Sequence, residues 1–331
     1  KYEVVLIGIN KQGQWFLNDS SHFLLNADNP KLIKLNGANK AVTLVPYEKD
    51  QPLIALSGSE SSEAIDVVFP VLHGPFGEDG TIQGLLKLAN IPFVGPDVLG
   101  SAIGMDKDVT KRLLRDAGIP IGKFLTFTKS QMDSVNFQDI VTELGLPLFI
   151  KPANLGSSVG VHKVKTEAEF KLAIKDAWSY DNKIIIEEFI KGREIECSVL
   201  GNSFPIASLP GEVIPQHDFY SYEAKYIDEK GATLKIPAEL PPDIVKKVQQ
   251  LAIETFKTLC CEGMSRVDFF LTEDGRLLVN EINTIPGFTN VSQYPKLWEA
   301  TGIPYRELLD RLIELALERA RRENRPVAVK A

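Results

Sequence analysis

Two alternating runs, Arg266 to Leu271 and Leu277 to Asn283, stand either side of an Asp274-Gly275 pair. No other feature constrains the fold as closely. Asp-Gly between alternating runs signals a hairpin, because a tight turn needs positive φ and these residues accept it. With those two residues as the turn, Glu273 pairs with Arg276, and counting outward sets Asp268 opposite Glu281 and Arg266 opposite Asn283. Side chains alternate between the two faces of a sheet. One face then carries Arg266, Asp268, Glu281 and Asn283, and the other carries Val267, Phe269, Leu271, Leu278 and Ile282. Two carboxylates and an amide oxygen so placed are hard donors, suited to Mg²⁺ completed by phosphate oxygens and water rather than to zinc. Arg266 beside them suits a phosphoryl group gathering negative charge. The competing reading is a salt-bridge ladder on a surface sheet face.

The rest of the chain alternates strand-like and helix-like segments, an α/β pattern. At 331 residues, 44% hydrophobic and 24% charged, it is long enough for two or three domains with full cores. Residues 4–7 and 67–72 read as buried strands. The second runs into a Gly-rich loop, His73 to Gly80, and a helix over 81–89. Gly95-Pro96 marks a domain boundary, and 97–117 reads as one or two helices. A strand over 147–151, a helix over 167–177 and a strand over 183–187 follow. The segment from about 211 to 238 is polar, charged and aromatic, and reads as an extended loop or flap. Pro241-Pro242 opens a helix reaching Cys260. A last helix spans about 305–319, followed by a frayed Arg-rich tail.

Smaller signals narrow the chemistry. Gly156-Ser157-Ser158-Val159-Gly160 is a phosphate-cradle candidate, because small residues let backbone N–H groups approach an anion; a plain turn is the alternative. It is neither a Walker loop nor G-x-G-x-x-G. Lys151 just upstream favours a phosphate, whereas Lys107 reads equally as a solvated helix residue. Glu187-Glu188-Phe189-Ile190 reads as an edge strand with solvated acids, or as a hinge that holds a purine. His73 sits where a strand meets a Gly-rich loop, a common place for binding residues, and reads equally as a capping or core-satisfying histidine. A net charge of −7, with no basic stripe interleaved with aromatics, argues against nucleic acid. No membrane span, signal peptide or G-x-S-x-G is visible. Cys197, Cys260 and Cys261 make no disulfide framework, so a cytoplasmic protein is expected, with Cys260 and Cys261 as buried packing.

Taken in order, these motifs resemble the D-alanine–D-alanine ligases of the ATP-grasp superfamily. The resemblance rests on His73-Gly74 with Gly77-Glu78-Asp79-Gly80, Met105-Asp106-Lys107, Lys151-Pro152-Ala153-Asn154 with residues 156–160, Tyr222-Glu223-Ala224-Lys225-Tyr226, Arg266-Val267-Asp268, and Asn280 to Gly287. It covers about residues 2–319. It implies a Rossmann-like first domain (1–95), then two α+β ATP-grasp subdomains (96–187 and 188–331) with ATP sandwiched between them and a flap at about 211–238. The implied activity joins two D-alanines through an acyl phosphate, supplying peptidoglycan precursors. A cytoplasmic homodimer is implied by the same analogy.

By that resemblance Asp268, Glu281 and Asn283 hold two Mg²⁺ (or Mn²⁺) ions. Lys107, Lys151 and Ser158 contact ATP, and Lys225 reaches its γ-phosphate from the flap. Glu187 and the backbone after it receive adenine, Phe189 and Phe270 line it, and Glu194 takes the ribose. Arg266 and the Gly287 amide stabilise the oxyanion of the tetrahedral intermediate. Ser292 binds the second substrate's carboxylate, and His73 lies near the first substrate. Ser157 and Tyr226 belong to a hydrogen-bonded triad that closes the flap; Tyr at 226 is similar to the dipeptide-forming members. The family's opening motif, Ser-x-Glu-His-Glu-Val-Ser, has no match, and the expectation is that a preceding segment was cut or left out. Alternatives are a D-alanine–D-lactate or D-alanine–D-serine ligase, a nucleotide-binding remnant, and an unrelated metal-dependent hydrolase.

Overall fold

The structure is a computed structural model that describes residues 1–18, 24–25, 34–35, 40–45, 53–56, 64–156, 158–215, 232–289 and 292–323. The chain packs as two compact units, one of residues 1–68 and 85–92, the other of residues 69–84 and 93–331.

In the first unit, β1 (Leu6–Ile9) and β2 (Trp15–Asn18) form a hairpin. Its turn is held by the Asn10 side chain, which accepts from the Gln12 and Gln14 amides at 3.0 and 2.9 Å. Gly13 supplies the positive φ there. Next come β3 (Leu24–Leu25), β4 (Lys34–Leu35), β5 (Lys40–Leu44) and β6 (Leu53–Ala55). β3 pairs with β4, and the others form an antiparallel sheet in the order β1-β2-β5-β6. Residues 67–72, read from sequence as a buried strand, do not form one. Val68 alone holds a bridge position, its amide donating to Pro92 at 2.8 Å, and Val71 is exposed. The first strand is likewise shifted, starting at Leu6 with Val4 exposed.

The second unit carries the site. It includes the start of α1 (Thr81–Leu88), then α2 (Val98–Met105), α3 (Lys107–Asp116), β7 (Phe124–Thr128), a 3-10 turn over Lys129–Ser134 and α4 (Phe137–Leu144). After these come β8 (Leu148–Pro152), β9 (His162–Val164), α5 (Glu167–Tyr180) and β10 (Lys183–Glu188). The antiparallel order is β7-β10-β8-β9. Ile150, Ile184 and Ile186 of this sheet bury against Ile140 of α4 and Phe170 and Ala177 of α5. Thr166 starts α5 by a capping box with Glu169.

A larger sheet follows from β11 (Gly192–Gly201), β12 (Ile206–Ala207), β13 (Gly211–Pro215), β14 (Ala232–Lys235), β15 (Gly263–Thr272) and β16 (Leu277–Asn283). Its order is β14-β13-β11-β15-β16, with β12 on β11. α6 (Pro242–Thr258), α7 (Gln293–Ala300) and α8 (Tyr305–Glu323) complete the unit. Ile195, Cys197 and Val199 of β11, with Val267 and Phe269 of β15, bury against Val248, Ala252 and Phe256 of α6. The sheet's opposite face is thereby left for polar residues. A parallel bridge from Ile121 to Val279 ties the segment before β7 to this sheet.

Several expectations need correction. The Asp274-Gly275 turn is a three-residue loop. Thr272 pairs with Arg276, its amide donating to the Arg276 carbonyl at 2.9 Å, and Gly275 alone takes positive φ. That shifts the register by one, and a bulge at Asn280 shifts it back, since Phe269 faces Val279 while Asp268 faces Glu281. The polar face is therefore as expected, but Leu277 and Val279 join the cluster under α6, while Leu278 is buried opposite Phe270. β10 is no edge strand: it is paired on both sides, and Glu187 is buried. Asp106 divides the 97–117 segment into two helices. The supposed flap begins and ends as paired strands, β13 and β14. The last helix continues to Glu323, and Cys260 is exposed at positive φ while Cys261 is buried.

Candidate active site

The cationic part of the site is built from the start of α3. Asp106 leaves the helical region, and its carboxylate accepts the Asp108 and Val109 amides at 3.1 Å, capping α3. Lys183 of β10 meets Asp106 at 2.5 Å and Asp108 at 3.3 Å, which pins that helix end to the strand. Burial alone would raise Asp108; Arg112, Thr126 and Lys183 outweigh it and hold the acid below its ordinary value.

Lys107, the first residue of α3, is not simply solvated. Its amide donates to Ala153 at 3.0 Å and its Nζ to the Leu155 carbonyl at 2.5 Å, so it lies on the 153–160 loop. One turn later on the same helix face, Lys111 is 3% exposed. Its Nζ lies 2.7 Å from Glu187 Oε1, and Lys151 pairs with Glu187 Oε2. Burial pushes the Glu187 carboxyl up, but the two ammonium groups overcome that and bring it down to about 2. Burial likewise opposes the Lys151 charge, and Glu187 with Glu281 holds that lysine above its ordinary value.

The acidic part lies on the side of β11, β15 and β16 that faces away from α6. Arg266 donates through Nε and Nη2 to the two oxygens of Asp268, both at 2.7 Å. Arg266 faces Asn283, and Asp268 faces Glu281 on one side and Glu196 on the other. Burial would weaken the guanidinium's charge, yet Asp268, Glu196 and Glu281 raise its pKa well above the ordinary value. Phe270 and Glu194 face each other further along the same side. Phe189 follows β10, over a third exposed; its ring lies 6.2 Å from Phe149 and carries the Lys163 Nζ at 4.3 Å.

A third part forms where Phe69 packs edge-on against Phe288, ring centroids 5.1 Å apart. This brings the His73 segment beside the loop after β16. A Cβ at Gly287 would stand 2.7 Å from Ser292 Oγ and 3.9 Å from His73 Nε2. Ser292 Oγ accepts the Thr289 amide at 2.9 Å, which fixes it at the start of α7. The loop over 73–80 is held by its own acids: Glu78 accepts from Gly74 at 2.6 Å, and Asp79 from Phe76 at 2.8 Å.

The structure thus gathers Lys107, Lys151 and Glu187 at one locus, Arg266, Asp268, Glu281, Asn283, Phe270 and Glu194 on one face, and His73, Gly287 and Ser292 at another. Ser158 lies at positive φ in the 156–160 loop. Ser157, Lys225 and Tyr226 lie outside the described residues. Sequence reading missed Lys111, though i and i+4 spacing from Lys107 would have placed it, and Glu196, though it alternates with Glu194. Among the described residues no group of three or more His, Cys, Asp or Glu is set for a metal ion; the expected set is two acids and an amide. Those donors fit a hard divalent cation. Around Arg266 the carboxylates of Asp268, Glu196 and Glu281 exceed the one positive charge, an excess a cation would neutralise.

Two family models match the chain, "D-ala D-ala ligase N-terminus" over residues 1–96 and "D-ala D-ala ligase C-terminus" over residues 113–314. A D-alanine–D-alanine ligase of Shouchella clausii is 57% identical over 323 residues, 98% of this chain and 88% of that protein. The D-alanine–D-alanine ligase A of Escherichia coli K12 is 52% identical over 324 residues, 98% of this chain and 89% of its own. Among solved structures, the D-alanine-D-alanine ligase from Coxiella burnetii superposes with a TM-score of 0.83 at 42% identity, covering 96% of this chain and 85% of its own. The VanG D-Ala:D-Ser ligase from Enterococcus faecalis gives 0.82 at 36% identity, covering 95% and 90%.

Proposed function

Because the chain belongs to the D-alanine–D-alanine ligase family, we propose that it is an ATP-dependent ligase that joins two D-alanines. The single observation that carries the chemistry is Arg266 on the acidic sheet face, with a buried lysine locus close enough for Glu281 to act on both Arg266 and Lys151. A phosphoryl-transfer site needs fixed cations for the phosphates and a positioned charge where the oxyanion develops. ATP phosphorylates the first D-alanine's carboxylate, the second amine attacks that acyl phosphate, and phosphate leaves.

In this reading Lys107 and Lys151 bind the phosphates, with Ser158 on the loop beside them. Lys151 can turn toward phosphate without stranding a buried acid, because Lys111 keeps Glu187 paired. Asp268, Glu281 and Asn283 would hold Mg²⁺, which supplies charge neutralisation at the phosphates when bound. Arg266 and the Gly287 N–H hold the oxyanion, Ser292 orients the second substrate's carboxylate, and His73 stands beside the first. Phe189, Phe270 and Glu194 form the nucleoside side of the pocket. Ser157, Lys225 and Tyr226 are assigned to flap closure by family likeness alone. A three-domain division at 95 and 187 and a cytoplasmic homodimer belong to the same proposal. No helix among the described residues is long and apolar enough to cross a membrane.

The test is the product formed from ATP and D-alanine with equimolar D-lactate and D-serine. D-alanyl-D-alanine as the dominant product supports the reading, and a mixed depsipeptide or D-alanyl-D-serine product overturns its second-substrate part. A sharper local prediction concerns Gly287→Ala. The added Cβ would meet Ser292 Oγ, itself tied to Thr289, so KM for the second D-alanine should rise about 10- to 100-fold. Steady-state kinetics over D-alanine concentration reads this directly.

A further inference from the structure

Arg266 is anchored twice. Asp268 takes it in a two-pronged contact, and the Glu196 Oε2 lies 3.3 Å from the same Nε. Glu196 is 7% exposed and sits on β11 directly across from Asp268. It has a second neighbour. The side-chain amide of Gln293 lies against the Glu196 carboxylate. Gln293 is the first residue of α7, immediately after Ser292. That helix is docked on β11 itself, Tyr294 donating its hydroxyl to the Val199 carbonyl at 3.1 Å.

We propose that Glu196 is a positioning residue that acts through Arg266. It holds the guanidinium in place whenever Asp268 is drawn to a cation, and through Gln293 it fixes that guanidinium relative to Ser292. This rests on the ligase reading above, and its logic is one of competition. A carboxylate clasped by both arms of an arginine has few lone pairs left for another ligand. An arginine with one anchor loses its place when that anchor turns elsewhere. Glu196 resolves both conditions, because it touches Nε and leaves Nη1 and Nη2 for other acceptors. No bond is made or broken by Glu196; its contribution is geometric and electrostatic.

The experiment compares Glu196→Gln in the wild-type background and in an Arg266→Lys background, using D-alanine-dependent ADP release. In the wild-type background kcat should fall about 10- to 100-fold, the worth of a hydrogen bond to a charged group, with KM for ATP within about twofold. In the Arg266→Lys background the same change should cost less than about threefold, since the group it positions is gone. Mn²⁺ bound to the resting protein, counted by electron paramagnetic resonance of the free ion, should weaken in Glu196→Gln as Arg266 falls back on Asp268. A folded Glu196→Gln variant with wild-type kcat overturns the proposal, and so does an equal loss in both backgrounds. If Glu196→Gln does not fold, Glu196→Asp carries the same comparison, because it keeps the charge and withdraws it from Nε. Absence of turnover in the wild type would count against the ligase reading instead, leaving the Mn²⁺ comparison to judge Glu196.

Discussion

Arg266→Ala is expected to lower D-alanine-dependent turnover by about 10³-fold, the upper range for removing one preorganised oxyanion donor. The size follows from its surroundings. The guanidinium lies among Asp268, Glu196 and Glu281, so its position is fixed and little reorganisation accompanies charge development. Removing it also leaves those carboxylates facing one another, which for a buried pair broken on one side costs about 3–5 kcal/mol. Arg266→Lys should keep most of that stability while still losing turnover, because an ammonium cannot reproduce the fork. Kinetics paired with urea denaturation of both variants checks the split. A folded Arg266→Ala enzyme with turnover near wild type would remove Arg266 from the reaction.

The second large effect is expected at Glu187. It pairs directly with two buried or nearly buried lysines, Lys111 and Lys151. Glu187→Gln takes the paired carboxylate from both, leaving Lys151 only the more remote Glu281, and should destabilise by about 3–5 kcal/mol. Lys111→Met should cost far less, because it leaves a balanced Glu187–Lys151 pair and an apolar chain of similar length. The acid limb of the pH profile carries the sign. A carboxyl held at about 2, below its ordinary 4.5, contributes stability that is complete above pH 4.5 and lost as pH falls through 2. The gap between wild type and Glu187→Gln should therefore narrow from pH 4.5 downward. Urea midpoints across that window measure it; a gap that widens toward acid pH would contradict the pairing.

The polar face of β15 and β16 was legible because alternation is a local rule. Its register came out right through two offsetting departures, a loop one residue longer than Asp-Gly suggests and a bulge at Asn280. Neither leaves a clear mark in sequence, since a bulge is decided by how both strands pack. Glu187 was misread for a related reason. An acid at the end of an apolar run looks solvated unless its partners are known, and Lys111 and Lys151 come from other elements, 76 and 36 residues away by number. Lys111 itself was hidden among alternating helix charges. Residues 67–72 show the opposite failure: an apolar β-branched run has strand propensity, but a strand also needs ladder partners, and of these six residues only Val68 has a bridge position. The motifs around Lys107, Arg266 and Gly287 were readable in order, which is why the family was legible before the fold.

The most direct measurement is ADP release from Mg²⁺-ATP with no amino acid, with L-alanine and with D-alanine. The account predicts release that depends on D-alanine, stays near background with L-alanine, and matches formation of D-alanyl-D-alanine one for one. Release of ADP at the same rate in all three would identify an ATP hydrolase and contradict the assignment of Arg266, Gly287 and Ser292 to peptide-bond formation.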